Sequence, residues 1–264
     1  LRQYNGSTGT AANNTFTTTF NRELSLQGER VLVNTVAERG TLLVTSAVTG
    51  PAMLNKIGPG TLTFSNNNNS YSGGTLIQSG TLLVTNTTGS ATGTGAVTIG
   101  DTAKLRGTGR ITGETTIKNG GAVQGGNLTT TGKLTFTGAL IMESGSSADF
   151  RLNGNGNNDS LVFDTLTLES GASFNIILGY TPNEGDTFNL LDWSSLSTFS
   201  ASTDWSSHLN LSNAILSEGL KWDTTLFNSD GILAVVVVPE PSRLLLLMVA
   251  VGGMVLRRRR SHKA

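Results

Sequence analysis

The sequence predicts an all-β protein: a parallel β-solenoid closed by a C-terminal cap and followed by a single hydrophobic helix at the chain end. Three observations carry that prediction. The hexapeptide GTLLVT occurs unchanged at Gly40–Thr45 and Gly80–Thr85, with GTLTF at Gly60–Phe64 between them. Short runs of Thr, Val, Leu and Ile alternate with Gly and Asn clusters, the signature of strands and turns. Only 14% of the 264 residues are charged, so the chain is polar through Thr, Ser, Asn and Gly rather than through charge.

Residues 1–39 read as an N-terminal β segment. The chain begins with Leu1, and no basic segment followed by an apolar run stands near it; an exported protein is expected to carry such a leader, so the start is expected to be truncated or processed.

Residues 40–179 read as the repeats. The equal spacing of Gly40, Gly60 and Gly80 is expected to continue through Gly100 and Gly120, and a second strand precedes each glycine: TLIQSG at Thr75–Gly80, AVTIG at Ala96–Gly100, TTIKNG at Thr115–Gly120. A unit this short cannot bury its apolar side alone, so successive units must stack, each covering the last. Leu, Val and Ile then face inward, Thr and Asn outward, with Asn at the turns free to ladder between coils. From Lys133 the spacing loosens while the style persists, in KLTFTG at Lys133–Gly138 and TLTLESGASF at Thr165–Phe174. The Asn153–Asn158 cluster, NGNGNN, could be a calcium loop, but one irregular copy lacks the carboxylates of a hard-cation site, and a turn is the better reading.

Residues 180–238 hold all three tryptophans, Trp193, Trp205 and Trp222, together with Phe188, Leu190, Leu191, Phe199 and Phe227. An open solenoid end offers unpaired strand edges, so an aromatic-rich cap is expected here, with core packing favoured over a sugar-stacking platform.

Residues 239–264 differ from everything before them. Pro239-Glu240-Pro241 breaks regular structure. The apolar run Leu244–Leu256 follows, and then the cluster Arg257, Arg258, Arg259 and Arg260. Thirteen helical residues span roughly 20 Å, less than the apolar thickness of a bilayer, but the abutting arginines favour a membrane helix held with its basic end in the cytoplasm. The net charge of zero hides this division: residues 240–264 carry six basic side chains and one acid, +5, and residues 1–239 carry 12 basic and 17 acidic, −5. An acidic body is a poor partner for nucleic acid.

Catalytic material is sparse. Without cysteine there is no thiol chemistry, disulfide or Cys-ligated metal. Two histidines, His208 and His262, leave little for a triad or a metal site, and neither a catalytic residue, a metal ligand nor a cofactor is assigned. Asp149, Asp159 and Asp164 are the acids that a carbohydrate-active β-helix could use, though no partner stands at a defensible spacing.

The order Pro-Glu-Pro, apolar helix and basic end closely resembles the PEP-CTERM sorting signal. The resemblance implies recognition by an exosortase, transient residence in the inner membrane, removal of the helix near the motif, and delivery to the surface or extracellular matrix of a Gram-negative-type bacterium. A second resemblance covers Gly58–Asn66, Asn69–Thr75 and Ser79–Leu82, which together are similar to the autotransporter-associated β-strand repeat: G-x-G-T-L-T-x-S, then N-x-Y-S-G-G-T, then x-x-G-T-L. It implies a right-handed β-helix in a secreted surface passenger. Because the sorting signal occupies the place of an outer-membrane barrel, passage through such a barrel is not expected. The expected function is that of a non-enzymatic surface or matrix protein with extracellular polysaccharide as a further candidate partner; the alternative is a carbohydrate-active or glycan-binding β-helix, either lyase-like or an adhesin.

Overall fold

A computed structural model of the chain describes residues 2–3, 16–35, 40–193 and 204–239. Within them the chain winds as a parallel β-solenoid. An eight-stranded and a ten-stranded sheet run the length of the coil, and strands distant in sequence by one coil are neighbours throughout. The strands of residues 16–35 join the same ladders as those after residue 40: Phe16–Phe20 pairs with Gly40–Val44, and Arg30–Asn34 with Met53–Ile57.

The repeated hexapeptides are the best-registered part of the ten-stranded sheet. Leu42 lies over Leu62 and Leu62 over Leu82, and the ladder continues through Leu105, Val123, Ala148 and Phe174. All seven are 3% exposed or less. Alternate residues of a strand point to opposite faces, so Thr41, Thr61 and Thr81 face outward beside this inner stack. Each fully buried Leu contributes about 1.5–3 kcal/mol of transfer free energy, repeated coil after coil.

The regular spacing expected from the sequence holds for two steps and then fails. Thr41, Thr61, Thr81, Lys104, Ala122, Ser147 and Ser173 are successive partners in the ladder. The first two steps are equal, the step to Lys104 is longer, the step to Ala122 is the shortest, and those to Ser147 and Ser173 are the longest. Gly80 is therefore paired with Ala103, not Gly100. Hydrogen bonding fixes where strands sit, and the turns between them absorb the difference in length. Beyond residue 110 one of those turns becomes a third wall, the four-stranded sheet of Arg110–Ile111, Lys133–Phe136, Ser160–Phe163 and Leu191–Trp193.

The N-x-Y-S-G-G-T turn has a specific physical reason for several of its members. Asn69 Oδ1 accepts from Val48 N at 2.9 Å and its Nδ2 donates to Ala91 O at 2.7 Å, so one amide ties together the coils on either side. Tyr71 is completely buried and its hydroxyl lies 2.6 Å from Thr75 Oγ1. At Gly73 an added Cβ would stand 2.3 Å from the backbone of Ala52 and Met53, a distance that only glycine allows. Asn69 thus links coils through backbone groups rather than by stacking on its own equivalents.

Within Asn153–Asn158 only Asn155-Gly156 forms a turn; the other four residues belong to the hairpin strands Ser147–Gly154 and Asn157–Asn158, so the turn is shorter than expected. After the last coils, Thr187–Asn189, Ile232–Val237 and Leu220–Asp223 form a three-stranded antiparallel sheet. Aromatic rings bridge this region and the final coils: Trp193–Trp205 at 5.2 Å, Phe174–Phe227 at 5.9 Å and Phe163–Trp193 at 6.0 Å between centroids.

Candidate functional site: a groove on the outer face of the long sheet

The outward positions of the ten-stranded sheet change character along the solenoid. Thr41, Thr61, Thr63 and Thr81 come first; Lys104 and Arg106 follow on the next strand, paired with Thr81 and Leu83. Farther on, Asn210 Nδ2 donates to Asn175 Oδ1 at 3.0 Å, Asn175 Nδ2 donates to Asp149 Oδ1 at 2.9 Å, and Lys104 Nζ stands 3.9 Å from Asp149 Oδ2. A polar ladder therefore runs across the coils and ends on a cation.

Where threonines give way to cations the face is recessed. A groove of about 440 Å³ is floored by Thr61, Thr63, Thr81, Leu83, Lys104 and Arg106, and Asn127–Thr129 forms its overhanging rim. The rim is a tight loop. Asn127 Oδ1 accepts from the backbone N of Thr129 and of Thr130, each at 2.8 Å. Arg151 then fixes it from below, donating through Nη1 to Leu128 O at 2.9 Å and through Nη2 to Thr130 O at 2.6 Å.

Arg151 is itself held by Asp159. That carboxylate is fully buried and accepts from Arg151 Nε at 3.1 Å, Arg151 N at 3.1 Å, Gln124 Nε2 at 2.9 Å and Gly132 N at 3.1 Å. Charge-assisted bonds of this kind satisfy a buried carboxylate. They also occupy its oxygens, which leaves Asp159 no route to a polysaccharide in solution.

Two polar atoms of the groove are left over. Thr63 is 6% exposed, and its Oγ1 has no hydrogen-bond partner. Arg106 Nε is likewise buried and unpartnered. Burial lowers the Arg106 pKa, with Asp149 opposing that shift. Unpaired buried polar groups each cost about 1–3 kcal/mol, a cost the floor of the groove carries at these two atoms.

The structure brings together only part of what the sequence singles out. Asp149 lies on the outer sheet face, Asp159 within the wall, and Asp164 in the exposed turn after Phe163. Trp205 is 1% exposed, and Trp193 and Trp222 pack partly buried against the core, as expected of packing rather than a sugar platform. His208 Nδ1 is 2.7 Å from Ala172 O. Of Pro239-Glu240-Pro241, Pro239 follows the last strand and is exposed, while Glu240 and Pro241, the run Leu244–Leu256, the cluster Arg257–Arg260 and also Phe199 lie outside the described residues. Among the described residues no helix is long and apolar enough to cross a membrane, and no group of three or more His, Cys, Asp or Glu is placed to hold a metal ion. Thr63, Arg106 and Arg151 escape sequence reasoning, because their setting depends on a loop whose place is fixed across several coils.

No curated protein matches the chain. Residues 54–84 match the family model described as passenger-associated-transport-repeat, and the matched stretch takes in both the N-x-Y-S-G-G-T turn and the floor of the groove at Thr61, Thr63 and Thr81.

Proposed function

We propose that the chain is an exported, non-enzymatic protein of the cell surface or extracellular matrix, whose solenoid displays a long polar sheet face to the surroundings. The observation that carries the reading is the passenger-associated repeat at residues 54–84, set in coils that continue in one ladder on either side. We take the coil to be right-handed, the hand that parallel crossovers almost always adopt. Residues 180–238 serve as the cap that closes the last coils, a role supported by the aromatic contacts of Trp193, Trp205 and Phe227 with Phe163 and Phe174.

Sorting runs through residues 239–264. An exosortase recognises Pro239-Glu240-Pro241, the Leu244–Leu256 helix holds the chain in the inner membrane, and Arg257–Arg260 keep its end cytoplasmic until processing frees the body. The non-enzymatic reading is supported by Asp159, one of the three acids that a carbohydrate-active β-helix could use, being sealed within its hydrogen bonds.

Replacing Pro239, Glu240 and Pro241 together by alanine tests the sorting step. Fractionated cells should then hold the chain in the membrane; release equal to that of the parent would sink the reading. Turnover of an acidic polysaccharide by the purified chain would sink its non-enzymatic half.

A further inference from the structure

The groove beneath Asn127–Thr129 points to a ligand class. We infer that it is a binding site for a carboxylate-bearing polysaccharide, with Arg106 and Lys104 receiving the carboxylate and the outward Thr61 and Thr81 facing the sugar hydroxyls. This rests on the surface and matrix reading, which it deepens by naming the site and the ligand.

Four features converge on it. First, charge: residues 1–239 carry a net −5, yet the groove presents two cations at alternate positions of one strand, Lys104 and Arg106. Lys104, Arg106 and Arg151 share the two carboxylates Asp149 and Asp159, which leaves the cluster with one positive charge in excess. Second, no protein acceptor engages Arg106 Nε in the floor, and the partly exposed Thr61 and Thr81 stand beside that guanidinium in the groove lining.

Third, the walls suit a ring with one apolar face. Pro59 and Leu128 flank the floor, Leu83 adds an apolar position within it, and Leu128 is 75% exposed on a loop that Arg151 holds in place. A preorganised rim spares the ordering cost that a free loop would incur on binding. Fourth, dimensions: from Thr41 to Lys104 the groove crosses three strand spacings, roughly 14 Å at ~4.8 Å each, which admits a short run of sugars along the solenoid axis. Among the described residues no aromatic side chain lines this groove, so recognition falls to the ionic contacts, and a neutral glycan has little to hold.

The test is calorimetric titration of the purified chain with oligogalacturonate and, in parallel, with an uncharged oligosaccharide of equal length. Binding of the acidic oligomer alone is expected, weakening several-fold as salt is raised from roughly 50 to about 200 mM, where screening shortens the reach of exposed charges. Arg106→Gln should weaken it about tenfold or more. Because Arg106 is partly buried, Leu128→Asp is the companion: it alters an exposed rim position and sets a negative charge over the groove, and it should abolish binding with the melting temperature unchanged. Equal affinity for the neutral oligomer, or full binding by both variants, overturns the inference. Absence of acidic-glycan binding overturns it as well, and the alanine replacement of Pro239-Glu240-Pro241 would still report independently on sorting.

Discussion

Arg151 Nε lies 3.1 Å from Asp159 Oδ2, and the pair connects the hairpin of residues 147–158 to the loop that overhangs the groove. The carboxylate is wholly buried, and the guanidinium donates to it a second time through Nη2, at 3.3 Å to Oδ1, besides reaching the Leu128 and Thr130 carbonyls. Removing one partner strands the other without compensation. Asp159→Asn is therefore expected to lower the unfolding free energy by about 3–5 kcal/mol, read from denaturant titration. Limited proteolysis should cut the Asn127–Thr131 loop faster in the variant; a chain of parental stability would show that the pair is ornamental.

Lys56 gives a pH dependence. It is fully buried at an inward position that Ile77, Ile99 and Ile117 occupy in the following coils. Its Nζ donates to the carbonyls of Gly58 at 2.7 Å, Ser79 at 2.9 Å and Ile57 at 3.2 Å. Burial lowers its pKa from 10.5 to about 8. Between about pH 8 and 10.5 the unfolded chain therefore binds more protons than the folded one, and by linkage this group makes stability rise with pH across that window. Thermal melts of the parent, referenced to Lys56→Met, should show a difference that shifts in favour of the parent from about pH 8 to 10. A flat difference would mean the lysine titrates normally.

Gly80 sits at φ +70°, and an added Cβ would approach Gly58 O to 2.4 Å and Gly60 O to 2.6 Å. Gly185 has a similar φ of +85° with nothing within 4 Å. Gly185→Ala should cost only the left-handed backbone penalty, about 1–2 kcal/mol, whereas Gly80→Ala adds a backbone collision beside Lys56 and should cost clearly more. Paired chemical denaturation curves separate strain from crowding; equal losses would remove the collision from the account.

The sequence carries the parts of the fold that rest on local chemistry. Leu42, Leu62 and Leu82 announce their register through closely similar surroundings, and Asn69, Tyr71 and Gly73 announce their turn. It is silent where distance intervenes. Lys56 reads as an outward polar residue until the carbonyls of Gly58 and Ser79 are seen to surround it. The first strand of the third wall, Arg110–Ile111, is too short to show a period. Thr63 and Arg106 look like ordinary surface residues because the loop that covers them is positioned by Arg151, which stands two strands farther along the ladder than Arg106.

Deleting residues 41–80 joins Gly40 to Thr81 and restores the GTLLVT hexapeptide at the junction. Two whole coils leave, and the ladder should close with Phe16–Phe20 on one side and Ala103–Gly107 on the other, the partners that these identical strands already have. Nearest-neighbour packing makes such a chain expected to fold cooperatively with a β-rich circular dichroism spectrum and a reduced melting temperature. Loss of the spectrum would mean that the coils are not interchangeable.

The ladder partner that follows Thr81 is Lys104, where an unchanged spacing would have placed Asp101, and this lengthened step separates a short shaft of equal steps, Thr41 to Thr81, from a varied head; the strand Phe16–Phe20 before the shaft is again set off by a longer step. The groove straddles that seam, with Thr41, Thr61 and Thr81 supplied by the shaft and Lys104, Arg106 and Leu128 by the head. Further copies of the equal coil can be added ahead of Thr41 without altering the residues that line the groove, each moving the head by one strand spacing of ~4.8 Å. Reach and recognition are thereby separable properties of one chain, the first set by the number of copies and the second by a handful of side chains.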